Sequence, residues 1–251
     1  MTIVAAQPGI AKDAPSSGGG AAVRLAGLSK RIGERQVLDR LDLTVRSGEF
    51  VALLGANGAG KSTLLKLIAT LAPATAGTIE LFGEPVRGQS ARLRARIGMI
   101  GHQLMLYRDL SAVENLVFFG RLYGVPDVQA RAMELLEFVG LADRAGDTVR
   151  TLSRGMAQRI AIARALMHGP DLLLTDEPFT GLDVISARQL EQCLVDLHAD
   201  GRTILLATHD LAQGLRLAQR MVVLRRGRIA LDEPTSKLDD MIVAGAMGAG
   251  A

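Results

Sequence analysis

Apolar residues in this chain follow two periods. From Val37 to Val45 they recur at a spacing close to two, the mark of a strand with one buried face, and Glu49 to Leu54 is a short apolar run that ends at glycines. Runs of similar length recur at Ile97 to Ile100, Leu172 to Thr175, Ile204 to Ala207 and Met221 to Leu224. Their length and flanks suit central strands of a largely parallel sheet, covered on both faces. Helical stretches lie between them. Ser111 and Glu114 form a capping-box pair, and the helix they open stops at Gly124; a second helix starts near Asp127 and ends at Gly140; a third starts near Ser153 and stops at Gly169 and Pro170. Three consecutive helices without a strand predict an insertion, so the expected fold class is α/β with a helical subdomain over about 104–168.

Outside that body the composition changes. Met1 to Ala21 is rich in Ala, Gly, Ser and Pro, has no basic residue before Lys12 and no long apolar stretch, so it reads as a disordered leader and not as a secretory signal. Residues 239–251 are expected to form a flexible tail, leaving 22–238 as one folded domain. The 251 residues are 48% hydrophobic and 22% charged, enough for a sizeable core and too apolar for wholesale disorder. The net charge of +3 is a small surplus, and no aromatic residues interleave with the basic clusters, so a nucleic-acid partner is not expected. Arg87, Arg92, Arg94 and Arg96, with Arg225, Arg226 and Arg228, read as a solvated face or a contact with anionic lipid headgroups. A single cysteine, Cys193, excludes an internal disulfide and gives no support to a cysteine-based metal site. No apolar run approaches the roughly 18 residues of a membrane span.

The chemistry begins at Gly55, Ala56, Asn57, Gly58, Ala59, Gly60, Lys61 and Ser62, which match G-x-x-x-x-G-K-[ST] between an expected strand and the helical run from Thr63 to Ala69. Backbone N–H groups of such a loop cradle phosphate oxygens, and the helix N-terminus adds positive potential. Glycines are required because a side chain would hold the backbone away from the anion. Lys61 is expected to reach the β- and γ-phosphates and Ser62 to ligate Mg²⁺. Asp176 and Glu177 follow the run ending at Thr175, on the sheet edge where the phosphate loop opens. Asp176 suits the magnesium shell, and Glu177 would polarise the attacking water.

The order of further signals identifies a family. Gln103 follows a strand after the phosphate loop; Leu152, Ser153, Arg154, Gly155 and Met156 open a helix just before the acid pair; Pro178 to Asp183 follow it; His209 ends the next strand. From about 22 to 235 the chain resembles the ATP-binding cassette ATPases. The resemblance implies a P-loop core with a β-subdomain and an inserted helical subdomain, and ATP and Mg²⁺ as cofactors. It implies that Gln103 touches Mg²⁺ or the attacking water, that His209 donates to the γ-phosphate, and that Thr63 joins the phosphate-loop contacts. It also implies that Ser153 and Gly155 cap the ATP of an opposite subunit, so that two chains sandwich nucleotide head to tail with Asp183 at their junction. Two departures stand out. Arg154 and Met156 replace the Gly and Gln common in the signature, which puts one contact across the dimer in doubt, and Ile32 stands where an aromatic often stacks on adenine. Weaker base selectivity, with GTP competing for the site, is expected from that.

One cassette without a span looks like the separate ATPase subunit of a transporter, bound at the cytoplasmic face of the inner membrane to integral permease subunits and not touching the cargo itself. The stretch Gly101 to Gly124, opening Gly101, His102, Gln103 and continuing through Glu114, Asn115 and Leu116, resembles exporter-type cassettes, above all the haem exporter ATPases of cytochrome c maturation. A drug-, lipid- or polysaccharide-type exporter ATPase is the alternative, followed by a soluble ATPase without a transport role. Phe118, Phe119, Leu122 and Tyr123 read as a helical core stripe, or on another face as a groove for a helix of the membrane partner.

Overall fold

A computed structural model describes residues 20–88, 90–101 and 103–248. The first 19 residues of the expected leader and His102 lie outside the described residues. In chain order the elements are β1 (Ala21–Ile32), β2 (Arg35–Arg46), β3 (Phe50–Leu54), α1 (Lys61–Ile68), β4 (Ala76–Leu81), β5 (Glu84–Pro85), α2 (Ala91–Arg94), β6 (Ile97–Ile100), α3 (Ala112–Leu122), α4 (Val128–Phe138), α5 (Arg154–Leu166), β7 (Leu172–Asp176), α6 (Val184–Ala199), β8 (Thr203–Thr208), α7 (Leu211–Leu217), β9 (Arg220–Arg225), β10 (Arg228–Pro234) and α8 (Asp240–Met247).

The strands form two sheets. A six-stranded sheet runs β10-β9-β3-β8-β7-β6, parallel except for the β9–β10 pair, and carries every apolar run singled out above except Val37 to Val45. That alternating run lies in β2, part of an antiparallel four-stranded sheet ordered β2-β1-β4-β5. Parallel strands β3, β7 and β8 are buried along their whole length, which is why they read as continuous runs and not as alternation.

One core cluster joins the inner faces of the two sheets through α1, with Val23, Leu43, Leu65, Ile68, Leu174 and Val222 among its members. A second joins the other face of the large sheet to α3, α4, α5 and α6 through Phe50, Leu116, Leu135, Ile162, Leu173 and Leu194. The helical insertion therefore has no core of its own: α5 is shared between it and the sheet, with ten of its thirteen residues buried. Ser111 caps α3 as the capping box requires, accepting from the Glu114 N–H at 3.3 Å while the Glu114 carboxylate accepts from the Ser111 N–H at 2.7 Å.

The expected flexible tail is corrected at 240–247. Asp239 caps α8, and Val243 is fully buried against Leu54, Met221 and Val223. Low complexity concealed it: an Ala/Gly-rich run with one buried anchor lacks the periodicity that marks longer helices. The basic clusters are partly neutralised. Arg92 pairs with Glu84 at 3.2 Å, Arg96 with Asp171 at 2.6 Å, and Arg228 with Asp39.

Candidate nucleotide site

The phosphate loop leaves β3 at Leu54 and ends at α1, whose N-cap residue Gly60 has φ +110°. A Cβ on Gly60 would stand 3.1 Å from the Val37 carbonyl oxygen and 2.5 Å from the Leu38 side chain, so only glycine lets the loop turn beneath β2. Gly55 is equally committed: a Cβ there would lie 2.5 Å from the Leu224 carbonyl oxygen. Ala56 to Thr63 line a cavity of about 300 Å³ together with Ile32, Arg35, Val37 and Glu177. At the start of α1, Lys61 and Leu64 are buried, and Lys61, Ser62 and Thr63 line the cavity. Lys61 is buried, its ammonium donating to the Gly55 carbonyl at 2.6 Å and standing 3.3 Å from Glu177 Oε1.

Glu177 follows Asp176 at the C-terminal end of β7. Its φ of +51° places it in the left-handed region, where a residue with a side chain is held only by its surroundings. Its N–H donates to the Ala207 carbonyl at 2.9 Å, and its carbonyl accepts from the Thr180 N–H at 3.2 Å. The twist aims the carboxylate between two partners: Oε1 meets Lys61, and Oε2 lies 2.7 Å from His209 Nδ1. An ionised carboxylate can only accept, so in this contact the imidazole donates through Nδ1 and leaves Nε2 for another group. His209 follows β8, the neighbour of β7, so parallel pairing brings the two residues side by side although 32 positions separate them.

Asp176 is buried, and its Oδ1 is a buried oxygen with no hydrogen-bond partner. Burying a carboxylate oxygen unpaired is costly, and a cation removes that cost. Ser62, Gln103 and Asp176 line one cavity of about 630 Å³, to which Phe119, Tyr123 and Arg164 also belong. A hydroxyl, an amide and a carboxylate offer the oxygen donors that Mg²⁺ takes alongside phosphate oxygens, so the residues fit that ion. Among the described residues no cluster of three His, Cys, Asp or Glu could hold a metal by itself.

Ser153, Gly155 and Asp183 are not among the residues lining either cavity. The Ser153 hydroxyl caps α5, accepting from the Met156 N–H at 3.2 Å, and Gly155 is buried so tightly that a Cβ would run into the Ser186 side chain. Asp183 caps α6, accepting from the Ser186 N–H at 2.8 Å and its hydroxyl at 2.9 Å; these bonds hold its carboxyl below the usual carboxylate range. Arg154 lies over Gly181 in the segment that links the acid pair to α6. The aromatic stripe divides: Phe119 and Tyr123 line the cavity shared with Gln103, whereas Phe118 and Leu122 line a separate groove on the outer side of α3. Arg35 is the cradle residue that sequence reasoning missed, since it belongs to no loop motif and reaches the site across a hairpin.

Over residues 38–180 the chain matches the protein family described as ABC transporter. It is 40% identical over 223 residues, covering 88% of this chain and 70% of the other, to Nod factor export ATP-binding protein I of Ralstonia nicotianae. It is 41% identical over 249 residues, covering 91% and 90%, to the phosphonates import ATP-binding protein PhnC of Stutzerimonas stutzeri. A solved dimeric ATP-binding cassette, in a post-hydrolysis state bound to ADP and Pi, superposes with a TM-score of 0.77 at 30% identity, covering 85% of this chain and 98% of that one.

Proposed function

The chain belongs to the ABC transporter family and is an ATPase of the P-loop type; from that premise we propose that it is the ATP-hydrolysing subunit of a membrane exporter. The observation that carries the catalytic part is the linked set Lys61, Glu177 and His209 at the mouth of the phosphate cradle. Lys61 exchanges its contact with Glu177 for the β- and γ-phosphates. Ser62, Gln103 and the unpartnered oxygen of Asp176 would hold Mg²⁺, which when bound would supply positive charge to the phosphates. Glu177, freed from Lys61, polarises the attacking water, and His209 turns Nε2 to the γ-phosphate while Nδ1 keeps the carboxylate aimed.

Ser153, Gly155 and Asp183 act in a second setting. They lie away from the cradle of their own subunit, on helix starts that offer free N–H groups, so their contribution is to the ATP and the junction of a head-to-tail partner. The family resemblance and the dimeric structural neighbour support this reading. Coupling to integral permease subunits at the cytoplasmic face of the membrane would use the cavity lined by Phe119 and Tyr123, because Ser62, Gln103 and Asp176 line it too: a helix seated there would reach the residues proposed to hold Mg²⁺. No helix among the described residues is long and apolar enough to cross a membrane, so the span would belong to that partner.

Export is favoured over import by the Gly101 to Gly124 stretch and by the relatives named for Nod factor export, against one named for phosphonates import. Haem as cargo rests on the same stretch; the relatives named for Nod factor export favour the alternative, a drug-, lipid- or polysaccharide-type exporter. Affinity purification of tagged Glu177→Gln protein with MgATP from detergent-solubilised native membranes decides between them. Co-purifying membrane proteins of cytochrome c maturation support haem export, an unrelated exporter permease supports the alternative cargo, and an importer permease or no membrane protein contradicts the exporter reading.

A further inference from the structure

The mouth of the cradle holds two cations in different states. Lys61 is buried and already engaged by two carbonyls and Glu177. Arg35 is exposed and, among the described residues, has no carboxylate partner. It begins β2 directly opposite Ile32 in the hairpin register, across the turn at Gly33 and Glu34. Its guanidinium lies 3.9 Å from where a Cβ on Gly58 would stand, over the phosphate loop itself. Ile32, its cross-strand neighbour, is 59% exposed on the same rim and offers a base only apolar contact.

We propose that Arg35 is a phosphate clamp: its guanidinium closes over the loop at Gly58 and binds the polyphosphate chain of the nucleotide from the side opposite Lys61. A guanidinium presents paired N–H donors in the fork geometry that phosphate oxygens accept, and an exposed, unpaired one loses little on binding. Among the described residues lining the cavity, the other cation is Lys61. The division of labour follows: in this chain the nucleotide is held by its phosphates more than by its base, with Arg35 supplying affinity where Ile32 supplies no ring.

The inference rests on nucleotide binding in the cradle, and its test keeps the two apart. Displacement of a fluorescent ATP analogue by ATP, CTP and inorganic tripolyphosphate is measured for wild type, Arg35→Ala, Arg35→Lys and Arg31→Ala. Arg31 is an exposed cation on the same hairpin that does not line the cavity, so it controls for the general field. Arg35→Ala should weaken all three ligands by a similar factor, about tenfold or more for a lost charge-assisted contact. Arg35→Lys should recover part of that loss and Arg31→Ala should change little. Loss of ATP binding with tripolyphosphate unaffected would make Arg35 a base platform, and equal losses in Arg31→Ala would make it part of a diffuse field; either overturns the clamp, as does an unchanged Arg35→Ala. Failure of wild type to bind any of the ligands would instead remove the nucleotide reading itself.

Discussion

At Glu177 the backbone is held at φ +51° by bonds to Ala207 of β8 and to Thr180 of the following turn, in a conformation costing on the order of 1–3 kcal/mol. The consequence is a carboxylate aimed at both Lys61 and His209. Replacing Glu177 by Gln keeps the shape and removes the base, so turnover should fall by about 10² to 10⁴-fold while ATP still binds, as seen by comparing steady-state hydrolysis with equilibrium nucleotide binding. Retained turnover would take Glu177 out of that role. Cys193 makes the opposite case of a residue with no chemistry: burial pushes its thiol up to about 11. Since the thiolate is the reactive form, a disulfide reagent at pH 9 should leave the folded protein unmodified and label it only once it is unfolded. The phosphate loop and acid pair were legible because their chemistry demands residue types at fixed spacing. The twist at Glu177 and the reach of Arg35 were not, because each depends on what a distant strand places beside it.

Among the elements, the buried parallel strands were legible to within a residue or two, as were α3 and α5, whose caps Ser111 and Ser153 are written in side chains, and α4, which Asp127 opens without a side-chain cap. β1 was not. Its register with β2 shifts between Leu25 and Leu28 and again toward Arg31, with Gly27 at φ +57°, so the alternation that betrays a strand is broken from within. β10 hid for a different reason, being an edge strand that alternates between exposed and half-buried positions and never shows a buried face. Where elements meet, packing leaves little slack. α3 crosses α4 and α5 at Gly120, where a Cβ would collide with Val128 and stand 2.6 Å from the Met167 side chain. Gly120→Ala should therefore destabilise the protein by about 1–3 kcal/mol through overpacking, despite alanine's better helix propensity, and chemical denaturation would measure it. An unchanged or raised midpoint would show that the two side chains yield freely.

On the scale of the whole molecule, the site is divided. One set of residues surrounds the cradle within the chain, and Ser153, Gly155 and Asp183 are not among the residues that line it. That division is legible only through the family resemblance, since no local pattern says that a capped helix start serves a second copy. On the proposed reading, nucleotide binding and association are one event and hydrolysis reopens the pair, so blocking hydrolysis should trap it. The account is tested most directly by light scattering coupled to size-exclusion chromatography of Glu177→Gln with saturating MgATP. It predicts a species of twice the 26.6 kDa chain mass that returns to one chain when nucleotide is removed; a protein that binds ATP yet stays at the mass of one chain would contradict it.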